Sequence, residues 1–166
     1  MMGGTRHDTG EVDGMDLRET LREQLGKTGR MLLGVTGDVT EEEGAARPQG
    51  LAPIVWQVGH VTYYDALLVQ EVLGGPLEVP EQYGEWFKQG SSGQGDFPPL
   101  ADVRAAAERV HARVLELVDR DLAQPLDGGP AYSDLGSALM FTLVHRSWHT
   151  GKIMTLRALV GKPIMF

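Results

Sequence analysis

Two histidines four residues apart, in His145-Arg146-Ser147-Trp148-His149, carry the plainest chemical signal in the chain. They fall in an apolar stretch that reads as one long helix, where such a pair lies one turn apart on a single face, about 5 to 6 Å between Cβ atoms. Imidazole nitrogens held at about 2.0 to 2.1 Å in a tetrahedral site are about 3.3 Å from each other, which this spacing reaches. The pair is therefore half a metal site. A glutamate beside the first histidine would supply the general base of a His-Glu-x-x-His zinc protease, but position 146 is arginine, so that reading fails. Cysteine is absent, which excludes disulfides, thiolate ligands and a cysteine nucleophile. Any thiol chemistry has to use a thiol brought from outside.

The rest of the site must come from another segment, and His60 is the candidate. It recurs with Trp56, Tyr64 and Leu68 every fourth residue in a helix running from Pro53 to about Leu73, where Gly74, Gly75 and Pro76 end it. In the later helix, Ser133 is the expected N-cap, and Leu135, Leu139, Thr142, His145, His149, Ile153, Leu156 and Val160 form the inward stripe. Gly161 and Pro163 close it. Three imidazoles on two inward stripes can converge on one ion.

Two more helices are predicted around these. The first runs from Asp16 to about Val35 on Leu17, Leu21, Leu25, Leu32 and Val35, with Asp13 or Asp16 as N-cap; the other runs from about Leu100 to Leu122 on Val103, Ala107, Val110, Val114 and Leu117. The acidic run Glu41-Glu42-Glu43 reads as a solvated loop. Residues 74–99 are rich in glycine and proline yet contain Tyr83, Trp86, Phe87 and Phe97. A connection of that length with apolar residues to bury reads as an ordered crossover, with a short helix near residues 81–88. The expected fold is all-α, a four-helix bundle with a long crossover between helices two and three, and such bundles carry cofactor sites in their interior.

Length and charge narrow the function classes. At 166 residues the chain fits a single domain, read as 15–166 behind a flexible tail at 1–14 that lacks the apolar stretch of a signal peptide. A formal net charge of −8 with no basic stripe argues against nucleic acid as a partner. No apolar run is long enough to span a membrane, and a cytoplasmic location is the expectation. Among the other polar residues, His7 and His111 read as solvent or structural histidines. Tyr64, one turn from His60, can hydrogen-bond a group at the site, with packing the commoner role. Trp56 and Trp148 read as core. Arg146 and Arg157 can hold a substrate carboxylate, with solvated faces or ion pairs the commoner outcomes.

Two blocks resemble a known family. Pro53-Ile54-Val55-Trp56-Gln57-Val58-Gly59-His60 is similar to the helix-two signature of the DinB-like metalloenzymes. Leu143-Val144-His145-Arg146-Ser147-Trp148-His149-Thr150-Gly151-Lys152-Ile153, then Leu156-Arg157 and Gly161-Lys162-Pro163, resembles that family's block His-x-x-x-His-x-Gly-Gln-Ile and its ending, except that Lys152 stands where glutamine is common. The resemblance implies that His60, His145 and His149 bind a divalent metal. Zinc or nickel suits three imidazoles, manganese and iron remain candidates, and three protein ligands leave positions open, as catalytic sites do. It further implies a transferase that activates a small-molecule thiol of the bacillithiol or mycothiol type against an electrophilic substrate, with the Tyr83 to Phe97 crossover helping to wall the pocket. Two other readings stand beside it: a non-catalytic, stress-associated metal-binding bundle that binds a ligand or partner, and a metal-dependent hydrolase, which lacks an evident base. A homodimer through an outer helix face stays open.

Overall fold

Each of the four periodic segments is a helix in the computed structural model, which describes residues 16–91 and 94–165. They are α1 (Leu17–Gly34), α3 (Ile54–Leu73), α5 (Leu100–Leu117) and α6 (Leu135–Leu159); the shorter α2 (Glu41–Ala45) and α4 (Tyr83–Phe87) lie in the connections, and no strand occurs among the described residues. The fold is all-α. Of the long helices, α3 packs against α5 and α6, and α1 packs against the same two, an arrangement compatible with a four-helix bundle. The segment read as a tail, 1–14, lies outside the described residues. No described helix is long and apolar enough to cross a membrane.

Helix α3 is apolar nearly all round because it is covered on several sides. Ile54, Val55, Val58, Val61, Ala66 and Val69 are buried between α5, α6 and the connections. Full burial of one such aliphatic side chain contributes roughly 1.5 to 3 kcal/mol, so this helix is a fixed wall against which a site can be built. Its close neighbour is the crossover: Phe87 on α4 is fully buried, and a Cβ on Gly59 would sit 2.4 Å from its ring. Glycine at 59 is what lets α4 lie flat on α3, and α4 falls inside the window read as a short helix.

Several expectations are corrected. The acidic run is not a solvated loop: Thr40 and Glu43 form a capping box that starts α2, and the Glu41 carboxylate accepts from the N–H groups of Leu100 and Ala101 at the start of α5. Pro99 offers no side-chain cap there, so the glutamate supplies one from 59 residues away. Helix α5 stops at Leu117, short of Leu122, and the chain turns through Val118. Asp134, and not Ser133, caps α6, because it is the Asp134 carboxylate that accepts from the Ser137 N–H while the Ser137 hydroxyl accepts from the Asp134 N–H. Asp16 caps α1 as one of the two candidates, but Leu17 is exposed. Val160 lies past the last turn of α6 and is half-buried.

Candidate metal centre

The packing of α6 on α3 brings His145 and His149 to His60. Ring centroids are 5.1 Å apart for His60 and His145, and 4.7 Å apart for both His60–His149 and His145–His149. One nitrogen from each of the three lies within 4.8 Å of the other two.

Two rings are oriented by partners on their far side. His60 Nδ1 is 2.7 Å from the Phe87 carbonyl, and His149 Nδ1 is 2.7 Å from Gln57 Oε1. Both acceptors are oxygens, so each Nδ1 carries the proton and donates it, which leaves Nε2 with a free lone pair. This is the arrangement that fixes the tautomer and raises the basicity of a ligating imidazole. Among the described residues His145 has no such partner, and it stacks on Phe141, with the ring centroids 5.8 Å apart and the planes 13° from parallel. Trp56 stacks on His60 at 4.6 Å and is itself tied down, its indole N–H shared between the Trp86 carbonyl and the Ser91 hydroxyl.

Burial decides the protonation state. It is the main cause that pushes His60 and His145 down to about 4 and His149 to about 3; among the charges, Lys152 acts on all three and Arg146 on His145. The imidazoles are neutral at physiological pH, as ligation requires. Three neutral nitrogens with free lone pairs fit a borderline divalent cation, and no carboxylate of the described residues joins them.

The cluster opens onto a cavity of about 510 Å³ walled by Trp56, Tyr64, Phe141, Val144 and Trp148, with Gln89 and Lys152 at its polar edge. Tyr64 packs against both His60 and His145, and its hydroxyl accepts from the Gln89 N–H at 3.0 Å. From the crossover, it is Gln89 that lines this cavity; Phe97 lines a different one, beside α2 and α5. Trp148, expected in the core, is 64% exposed at the mouth. Trp56 is core as read.

Neither Arg146 nor Arg157 lines this cavity. Arg146 is fully buried, donating through Nε and Nη2 to Asp65 at 2.9 and 2.7 Å and through Nη1 to the Leu25 carbonyl and to His111 Nδ1. Arg157 is buried and paired with Asp38. Both are ion pairs, and neither is free for a substrate carboxylate. His111 is a structural histidine, lowered to about 4 chiefly by burial and therefore a neutral acceptor; His7 lies outside the described residues. Gln57 and the Phe87 carbonyl were not singled out from sequence. The signal for Gln57 was its position three residues before His60, within the block shared with the family.

No curated protein and no solved structure matches the chain significantly. The family model of the DinB superfamily matches residues 24–153, a span that holds all three histidines, Gln57 and the whole of α3. The chain belongs to the DinB superfamily.

Proposed function

We propose that the protein is a metal-dependent transferase that joins a low-molecular-weight thiol, of the bacillithiol or mycothiol type, to an electrophilic substrate. The observation that supports it most is the pairing of three neutral imidazoles with an open, mostly apolar cavity whose described lining includes no cysteine, serine or threonine. A divalent cation held by His60, His145 and His149 would supply Lewis acidity and lower the pKa of a thiol at the site toward neutrality. The chain's own contribution is positional. Phe87 and Gln57 hold two of the ligands in the ligating tautomer, Trp56 and Phe141 hold the rings in place by stacking, and the aromatic walls shield the reacting sulfur from bulk water. In the transfer, a sulfur–carbon bond forms, the bond to the leaving group breaks with its electron pair, and the thiol proton passes to solvent.

Hydrolysis through a metal-activated water is the weaker reading, since no carboxylate of the described residues lines the cavity to act as base. The test uses protein loaded separately with zinc, nickel and manganese, mixed with monochlorobimane and a panel of small thiols. Conjugation faster than without protein, lost in His60→Ala and His145→Ala, is the expected result. No acceleration with any thiol and any metal overturns the transferase; retained metal content and full melting stability in those variants would also remove the three-histidine site.

A further inference from the structure

The cations of α6 do not share one fate. Arg146 is neutralised by Asp65, Arg157 by Asp38, and Lys162, just past the helix, by Asp38 and Glu43. Lys152 has no carboxylate partner among the described residues. It is exposed, three residues beyond His149 and thus on the same side of the helix, and its ammonium lies 5.4 Å from the centre of the Trp148 ring at the mouth of the histidine cavity. None of the described side chains lining that cavity is a carboxylate. In a chain of formal charge −8, the cavity is a place where positive charge has been kept and negative charge left out.

An ammonium beside apolar walls gains most from a partner that brings its own negative charge, because a charge-assisted hydrogen bond is stronger where water is partly excluded. Lysine presents this charge as a point on a flexible stem, so it can follow a single oxygen on a guest of varied shape. We propose that Lys152 anchors a carboxylate on the small molecule this cavity admits, so that the thiol activated here is a carboxylate-bearing one. Its sulfur end faces the three histidines, its carboxylate takes the ammonium at the lip, and its apolar part rests on Trp148 and Phe141. This rests on the transferase reading above, and the experiment separates the two.

Zinc-loaded protein is titrated calorimetrically with 3-mercaptopropionate and with 3-mercaptopropionamide, which differ in charge and hardly in length, and with glutarate, which has no sulfur. The wild type is expected to bind the carboxylate thiol about tenfold more tightly than the amide, the equivalent of one charge-assisted hydrogen bond, with the gap shrinking as salt is raised. Lys152→Gln removes that preference and leaves amide binding unchanged, while Lys152→Arg retains it; zinc content measured for each variant shows that the site itself is intact. Equal binding of the two thiols by wild type, or a preference that survives Lys152→Gln, overturns the anchor and leaves the thiol reading in place. Glutarate bound in a Lys152-dependent way with neither thiol bound supports the anchor and removes the thiol reading. Binding of none of the three overturns the anchor.

Discussion

Arg146 reaches across the helix bundle to Asp65, its Nε and Nη2 both within 2.9 Å of one carboxylate oxygen, with the arginine side chain 1% exposed. The two residues are 81 positions apart, and each lies beside the histidine site: Arg146 follows His145 directly, and Asp65 follows Tyr64. The same guanidinium bonds the Leu25 carbonyl on α1 and His111 on α5, so one buried cation touches all four long helices. Burial pushes the Asp65 carboxyl up and Arg146 pulls against it. Removing the arginine leaves an uncompensated buried charge: Arg146→Met is expected to lower unfolding free energy by about 3 to 5 kcal/mol, a large share of a typical domain's stability. Asp65→Leu combined with Arg146→Met should recover most of the loss, because two apolar groups need no partner. Urea unfolding of the two single variants and the double variant measures the coupling. Additive losses in the double variant would show that the pair is not a unit.

The hydrogen bond from His149 to Gln57 makes a second prediction. Gln57→Leu keeps the volume roughly but offers no acceptor, so Nδ1 loses the bond that fixes its tautomer. Metal affinity is expected to fall about 10- to 100-fold, the usual effect of losing such an outer partner, with little change in helix content. Competition with a chromophoric chelator reads the affinity and circular dichroism reads the fold. Unchanged affinity would show that the side chain plays no part in tuning the imidazole.

Gly59→Ala tests the other pinned ring. The added methyl would meet the Phe87 ring at 2.4 Å, closer than real Cβ contacts come, so α4 must shift away from α3. Phe87 carries the carbonyl that holds His60, and the displacement should therefore cost both stability, about 1 to 3 kcal/mol by the overpacking mechanism, and metal affinity. A variant destabilised to that extent with wild-type metal affinity would mean that the carbonyl follows His60 independently of the packing.

How much of this was legible follows from the range over which each residue acts. The i,i+4 spacing of His145 and His149, and the position of His60 on an apolar stripe, are local patterns, and α3 and α6 bring all three together. Trp148 misleads because an indole next to a histidine on a helix is read as core, whereas one residue further round the helix turns it to the cavity mouth. The buried arginines and the Glu41 cap were illegible for a different reason. The Asp65 and Asp38 carboxylates lie 81 and 119 residues from their arginines and Glu41 lies 59 from Leu100, and a single sequence carries no mark of which carboxylate will meet which donor.

Acid should destabilise the metal-free protein in two stages. His60, His111 and His145 are lowered to about 4 and His149 to about 3, all from an ordinary 6.5 and all chiefly by burial. A histidine whose folded pKa is depressed stays neutral while the unfolded chain takes up its proton, so the unfolded state binds more protons and stability drops as the pH is lowered. The stability is complete above 6.5 and is lost progressively as pH falls through about 4. Asp38 follows: the Arg157 hydrogen bond holds it at about 2 against an ordinary 3.8, so its contribution is lost only as pH falls through that lower window. Urea midpoints measured at intervals from about pH 7.5 to 2 should therefore begin to drop near neutrality, well before carboxylates titrate. His111→Gln, which keeps an acceptor for Arg146 but cannot be protonated, should flatten part of the first stage and leave the second unchanged. A midpoint that stays level down to about pH 5 would mean that these imidazoles are protonated within the fold, and the neutral three-nitrogen donor set would be lost with them.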